Sequence, residues 1–523
     1  MHQVIRSTAC YNFERARLPL KTNFSMPYWQ ARLADYHDQD LLQFLTFGWP
    51  INFTSSSVVP VGSATNHPSA LNFPQHVQRF LETELSHLAL LGPFVSNPFP
   101  STTLTVSPMQ TVPKKGSPGA RRVVVDLSFP QNLSVNSGIP RHEYLQQSSR
   151  FHLPSIDAFI ALIQCQGQGC FLYKRDLSRA YRQIPVDPHD YNLLGIQWRN
   201  QLFFDTALPF GLRSAAFICQ RFSSALAYMH KSDGFDSVNY IDDFAGAESS
   251  YRSALQASLN LSHIFHLAGV TEAHDKAVLP TTDLTFLGVG FNTTSFHMYV
   301  PEDKLRELRD LSFLVLSRKK ISKRQLQSIV GKLMFAAKCV IPARVFMNRL
   351  LSALRKLTSN SHRIRVSLEM KRDLRWWHLF LPRFNGRCLI PRTLWSEPDS
   401  VLQCDACPSG AGGLFLAQAF HSQFPEFILS QNLHINALEL LVVTVAVKLW
   451  ADQLRGQKVT IYCDNTASVA VINSGSSRDE FMQACLRELV YYSALHDFQI
   501  RAEHLISRRQ PHRGQPQPLA LGP

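Results

Sequence analysis

The stretch "SVNYIDDFAGAE", residues 237–248, places Asp242 and Asp243 side by side between two short apolar runs. It reads as a strand that turns tightly and returns. Two like charges repel at such a point, and a carboxylate at a buried strand end loses its hydration. A divalent cation offsets both costs. Aspartate is also an ordinary turn residue, so the doublet taken alone favours a solvated turn. Acids elsewhere in the chain have to decide.

Asp176 is such an acid. In "CFLYKRDLSRAYRQIPVDP" (170–188) it leaves an apolar run and enters a helical turn. Two metal ions roughly 3.5–4 Å apart can activate a primer hydroxyl and stabilise a departing pyrophosphate in an in-line displacement. That chemistry needs a pair of carboxylates shared from separate strands, which Asp176 and Asp242 supply as candidates, with Asp243 more peripheral. The segment "VPKKGSPGARRVVVDLS" (112–128) reads as a hairpin flanked by Lys114, Lys115, Arg121 and Arg122. Cations at the base of a mobile loop can clamp a triphosphate. On its own the segment favours an exposed basic hairpin.

Length and composition set the frame. A chain of 523 residues suggests about three or four domains at ~150 residues each. No apolar run approaches the ~20 residues of a membrane span, and the N-terminus lacks the apolar core of a secretion signal. Ten cysteines without framework spacing fit free thiols in a reducing compartment, so the expected location is intracellular, cytoplasmic or nuclear. Cys404 and Cys407 in "CDAC" have no second pair to complete a zinc site. The net charge of +14 is concentrated: residues 301–400 hold 22 Lys and Arg against 8 Asp and Glu, which accounts for the whole excess. Such a local surplus is the footprint of a phosphate backbone, or else a solvated helical surface.

The expected organisation is multi-domain, α+β and α/β. Residues 1–75 form a partly irregular N-terminal extension with a short helix and a linker-like 55–69. Residues 76–300 alternate strand-like and helical runs. Residues 301–398 are basic and helical, with Ser322 and Gln325 as a capping box and Leu326, Ile329, Val330 and Leu333 on one helical face. Residues 399–506 carry a hairpin, a long helix, a strand and two more helices. Residues 507–523, rich in Pro, Gln and Arg, have no apolar period and are expected to be disordered.

Taken in order, these segments resemble the polymerase core of retroelement reverse transcriptases. The basic hairpin, an Asp with Tyr five residues on, "LPFG", "YIDD", a Lys-bearing turn and "FLG" carry the resemblance, over about residues 95–300. It implies a right-hand polymerase with fingers, palm and helical thumb, acting as an RNA-directed DNA polymerase. Lys115 and Arg122 then hold the incoming triphosphate. Asp176, Asp242 and Asp243 are the metal triad. Tyr181 is the aromatic gate that selects deoxynucleotides. Pro209, Phe210 and Gly211 line the nucleotide pocket, although retroviral enzymes have Gln where this chain has Phe210. Lys276 resembles the lysine proposed to protonate the leaving pyrophosphate, and Phe286, Leu287 and Gly288 resemble the primer-grip turn. The implied partners are an RNA template, a DNA primer, an RNA–DNA hybrid and deoxynucleoside triphosphates, with Mg²⁺ or Mn²⁺, two ions per site. Other element-encoded proteins are further possible partners, and no membrane is implied.

The C-terminal region repeats the logic. Asp405 precedes the Gly-rich "SGAGG", Glu439 opens a long helix, and Asp464 ends the strand "VTIYCDN". This order and spacing are similar to ribonuclease H, in which such a trio binds two ions and directs a water at a phosphodiester. The family's closing pattern starts with a histidine that His504 matches, but its aspartate position, 514, is Gly. The tail is a candidate out-of-frame reading, so the nuclease is expected to be impaired. Segments 121–140, 181–198 and 464–489 look most like tyrosine-recombinase (DIRS-like) retrotransposons. The alternatives are a catalytically inactive nucleic-acid-binding remnant of a retroelement and an RNA-templated RNA polymerase.

Overall fold

The runs that flank the aspartate doublet pair with each other and with the strand bearing Asp176, and this sheet organises the first of two structural units. The structure, a computed structural model, describes residues 19–54, 65–99, 104–114, 116–117, 119–145, 147–148, 153–339, 345–359, 362–380, 387–388, 398–496 and 498–505. The division between units falls at Phe286/Leu287, with Thr293–Ser295 returning to the first.

Along the first unit run α1 (Met26–Arg32), α2 (Leu41–Phe47), α3 (Pro74–Ser86), β1 (Leu90–Phe94), β2 (Met109–Pro113), β3 (Arg121–Val125), α4 (Ile156–Gln166) and β4 (Phe171–Asp176). They are followed by α5 (Ala180–Gln183), β5 (Gly195–Trp198), β6 (Gln201–Asp205), α6 (Ala215–Ser232), β7 (Ser237–Tyr240), β8 (Asp243–Glu248), α7 (Tyr251–Ala268) and β9 (Val278–Thr281). The central sheet has the order β9-β4-β8-β7, and β2–β3 is a separate hairpin. In α6, Ala215, Ile218, Cys219, Phe222, Ala225, Leu226 and Met229 recur at three- and four-residue spacing and are all buried. In α7, Ser250 caps the first turn by accepting from Ser253 N at 3.1 Å. The helix stops at Gly269, whose φ is +74° and where a Cβ would fall 1.8 Å from Asn23 O.

That close approach sets the N-terminal segment against α7. Phe24, Trp29, Leu33, Leu41, Leu45 and Trp49 belong to the same buried cluster as α6 and α7. Trp29 Nε1 donates to Ala268 O at 2.9 Å, and Arg221 pairs with Asp38 at 2.6 Å. Residues 19–54 are therefore part of the first core. The linker expected at 55–69 lies largely outside the described residues.

The second unit continues with α8 (Glu302–Ser317), β10 (Lys320–Ser322), α9 (Lys323–Ala336), α10 (Asn348–Arg355), β11 (Arg363–Arg365) and α11 (Leu368–Phe380). Next come β12 (Ser400–Ala406), β13 (Gly410–Phe415), β14 (Gln418–Gln423), α12 (Ile435–Trp450), β15 (Lys458–Cys463), α13 (Thr466–Ser474), α14 (Glu480–Leu495) and β16 (Gln499–His504). The capping box is formed by both Ser322 and Gln325, and the apolar face read from α9 is buried. The five strands β12–β16 make one sheet of order β14-β13-β12-β15-β16, antiparallel at its first half and parallel from β12 to β16. The second unit spans both sides of the boundary expected at 398/399. Buried Asp373 of α11 lies 3.3 Å from Arg487 of α14, tying the helical segment to the sheet region. Trp376 and Trp377 are buried, Trp376 stacking on Phe346 at 4.1 Å. Among the described residues, no helix is long and apolar enough to cross a membrane.

Candidate active site

Asp243 stands directly opposite Asp176 in the antiparallel register of β8 and β4, so both side chains leave one face of the sheet. Asp242 joins them from the two-residue turn between β7 and β8, closed by the Tyr240–Asp243 pair. Its carbonyl accepts from Leu177 N at 2.9 Å, binding the turn to the residue after Asp176. The turn is strained. Ile241 has a φ of +58°, the left-handed region that glycine normally takes in such hairpins and that costs a β-branched residue ~1–3 kcal/mol. Buried Gln220 of α6 offsets this. Its Oε1 accepts from Ile241 N at 2.8 Å and its Nε2 donates to Asn239 O at 3.1 Å.

Asp176 and Asp242 lie in an environment that resists charge. Burial and the neighbouring carboxyl of Asp243 push Asp176 up to about 6, against the lowering effect of Lys276. Burial also raises Asp242, with Asp243 adding to it. Two lysines attend the cluster: Lys276 Nζ lies 3.1 Å from Asp176 Oδ1, and Lys174 Nζ lies 2.9 Å from Asp243 Oδ1. Asp176 raises the affinity of Lys276 for its proton, chiefly through their hydrogen bond. The turn bearing Lys276 is anchored by Arg175, whose guanidinium meets Glu272 at 2.7 Å and Ser258 at 3.0 Å in the buried interior. Asp176 and Asp243, leaving one face of the sheet, are hard oxygen donors of the kind that suits Mg²⁺ or Mn²⁺.

Around the acids, Tyr181 is half-buried, with its ring 5.1 Å from that of Phe210, and burial raises its phenol above the usual value. Pro209 is buried, Phe210 is half exposed, and Gly211 turns the chain with a φ of +91°. Asn136 fixes this segment, donating to Gly211 O and accepting from Arg213 N at 2.9 and 2.8 Å. On the β2–β3 hairpin the two arginines part. Arg121 is engaged by Thr111 at 2.8 and 2.9 Å and lies 4.0 Å over Phe73, whereas Arg122 is exposed. Lys115 lies outside the described residues. Phe286 is fully buried against Phe159, and Leu287 and Gly288 form a turn with φ of +49° and +78°.

In the second unit Glu439 of α12 is buried, its Oε1 accepting from Ala406 N at 3.1 Å and its Oε2 from the Cys463 thiol at 3.8 Å. Ligand atoms of Glu439, Cys463 and Asp464 lie within 4.8 Å of one another, a grouping that could hold a metal ion. Asp405, exposed on β12, is near enough that it and Asp464 help burial push Glu439 up to about 7. His504 Nε2 donates to Asp464 O at 2.9 Å. Position 514 lies outside the described residues.

Sequence reasoning missed Lys174, Gln220 and Cys463. Lys174 sits two residues before Asp176 on the same strand face, a spacing that could have revealed it. Gln220 and Cys463 give no comparable local signal.

Among solved structures, the chain is similar to three of foamy viral protease–reverse transcriptase. With the dRH form in complex with double-stranded DNA the TM-score is 0.53 at 16% identity, covering 95% of this chain and 85% of that one. With the complex with RNA/DNA hybrid it is 0.51 at 15% identity, covering 96% and 67%. With a further double-stranded DNA complex it is 0.53 at 16% identity, covering 94% and 100%. The fold is that of a reverse transcriptase. No family model matches the chain, and no curated protein does.

Proposed function

We propose that the chain is an RNA-directed DNA polymerase of a retrotransposon, extending a primer by two-metal nucleotidyl transfer, with a ribonuclease H-like site in its second unit. The observation that carries the reading is the meeting of Asp176 with Asp242 and Asp243, drawn from two stretches far apart in the chain, at one end of the central sheet. That convergence favours an enzyme over an inactive nucleic-acid-binding remnant. The reverse-transcriptase fold supports the same conclusion, and the neighbours' complexes with double-stranded DNA and RNA/DNA hybrid support nucleic-acid partners.

In this reading Asp176, Asp242 and Asp243 hold two Mg²⁺ or Mn²⁺ ions. When bound, the ions supply Lewis acidity to the primer hydroxyl and charge to the departing pyrophosphate. Lys276, 3.1 Å from Asp176, would give its proton to that leaving group. Arg122, free of the contacts that hold Arg121, takes a phosphate of the nucleotide together with Lys115. Tyr181, braced by Phe210, excludes a ribose 2′-hydroxyl, and Pro209 and Gly211 shape the pocket. Phe286, Leu287 and Gly288 grip the primer. The first unit then corresponds to fingers and palm, and 301–398 to a thumb that tracks the template–primer backbone without reading sequence. Asp405, Glu439 and Asp464 would hold the nuclease ions and orient a water at the RNA strand of a hybrid. The branch is DIRS-like, and other element-encoded proteins are its partners.

Primer extension on an RNA template with Mg²⁺ and deoxynucleotides, compared with Asp242→Asn, tests this. Extension lowered ~10²–10³-fold or more in the variant supports it, and a folded, template-binding natural chain that extends nothing points to the remnant.

A further inference from the structure

We propose that the β10–β11 ribbon is a docking site for the phosphate backbone of a nucleic-acid duplex. The inference rests on the polymerase reading and names a contact surface within it. Residues 318–325 read "RKKISKRQ" and 362–367 read "HRIRVS", seven lysines and arginines with no acid. The two segments are held in antiparallel register, Lys320 opposite Arg365, Ile321 opposite Ile364 and Ser322 opposite Arg363. Backbone bonds from Val366 N to Lys319 O (3.0 Å) and from Lys323 N to His362 O (2.9 Å) extend the ladder at both ends.

Strand alternation then sorts the ribbon into two faces. Ile321 is buried and Ile364 half-buried on the inner one, while Lys320, Arg363 and Arg365 are exposed on the outer one. A directly opposed pair of like charges costs ~0.2–1 kcal/mol, and no acid among the described residues pairs with either to offset it. The ion pairs of this region go elsewhere, Arg306 to Glu302, Lys332 to Glu307 and Arg349 to Asp373. Among the described residues none reaches Lys319, Lys320, Arg324, Arg363 or Arg365. An external anion is the missing partner.

The ribbon is also rigid. Ser322 ends β10 and caps α9 through its reciprocal bonds with Gln325, so the cations stand on fixed backbone rather than on a loose loop. Arg363 and Arg365, two residues apart at ~3.4 Å per residue, stand ~7 Å apart along one strand, comparable with successive phosphates of a nucleic-acid strand. Neither ribbon strand carries an aromatic side chain to stack on a base, so the partner is the charged backbone, read without sequence.

The test is equilibrium binding of the full chain to a 20-base-pair RNA–DNA hybrid, and to a DNA duplex of the same sequence, across a salt series. Each phosphate contact contributes ~0.9 to the slope of log K against log salt, so Lys320→Gln/Arg363→Gln/Arg365→Gln is expected to lower the slope by ~2–3 on both duplexes. Arg363→Lys/Arg365→Lys, which keeps the charge, is expected to retain it. A control lacking three exposed cations elsewhere (Lys231→Gln, Arg252→Gln, Arg455→Gln) is expected to leave the slope unchanged. An unchanged slope in the ribbon variant, a fall matched by the control, or a fall on one duplex type alone overturns the ribbon while leaving the polymerase reading intact. A natural chain with no salt-dependent duplex binding overturns both.

Discussion

Asp176 and Asp243 face each other across the β4–β8 ladder, and each is met by a lysine, Lys276 at 3.1 Å and Lys174 at 2.9 Å. The arrangement holds two carboxyls together at a cost that a bound cation removes. Asp176 is pushed up to about 6, above its unfolded value, so its protonated form is the one the fold prefers. The stability it contributes is full below the unfolded pKa and is lost as pH rises through about 6. A divalent ion restores what is lost, so Mg²⁺ should raise the melting temperature more at pH 8 than at pH 5. At 100 times its Kd an ion binding only the native state contributes ~2.7 kcal/mol, which is several degrees. Thermal melts with Mg²⁺ and with EDTA at both pH values check this, and Asp176→Asn should lose most of the difference. Equal gains at pH 5 and pH 8 contradict it.

The strain at Ile241 makes Gln220 a positioning residue. Gln220→Ala removes the acceptor of Ile241 N and the donor to Asn239 O, at ~1–3 kcal/mol. The turn then relaxes and Asp242 shifts relative to Asp176. We expect kcat of extension to fall ~10-fold or more with KM for the nucleotide nearly unchanged. A loss of stability with intact kcat would make Gln220 a structural strap alone.

Tyr181 packs at a tilt against Phe210, ring centres 5.1 Å apart, close to the acids, since Asp242 is among the charges that raise its phenol. A wall of this kind discriminates by bulk, so Tyr181→Val should raise ribonucleotide incorporation relative to deoxynucleotide by ~10-fold or more, and Tyr181→Phe should leave it unchanged. Single-nucleotide extension with matched ribo- and deoxynucleotides measures the ratio. A ratio that does not move in Tyr181→Val removes the gate.

The strands that carry the acids were legible in sequence because strand periodicity and turn chemistry are local. The doublet's flanking runs are β7 and β8, and the run before Asp176 is β4. The same locality made Ser322, Gln325 and the buried face of α9 readable. What escaped is carried by contacts between residues far apart in the chain. Trp29 bonds to a carbonyl 239 residues away, so nothing around residues 19–54 marks them as core rather than extension. Asp373 and Arg487 meet across 114 residues, joining segments on either side of the boundary expected at 398. The left-handed Ile241 is equally hidden, because a β-branched residue argues against that conformation and only the distant Gln220 makes it tolerable.

The buried Glu439 allows a pH argument at the second cluster. Burial, aided by Asp464 and Asp405, pushes its carboxyl up to about 7, although the Ala406 N–H opposes the shift. The charged form is the one that holds a cation, so below about 7 an ion must displace a proton. Affinity for Mn²⁺ should then weaken by up to about tenfold per pH unit below 7 and level off above 8, with one proton released on binding at the lower pH. Calorimetry in buffers of different ionisation enthalpy, on an Asp176→Asn/Asp242→Asn background that silences the first cluster, measures both quantities. Glu439→Gln keeps an acceptor for Ala406 N but carries no charge. It should abolish this binding and, above pH 7, raise the melting temperature of the metal-free protein, because the penalty of ionising a buried carboxyl is gone. Mn²⁺ binding that is independent of pH between 6 and 8, or that survives in Glu439→Gln, would place the ion elsewhere than on this residue.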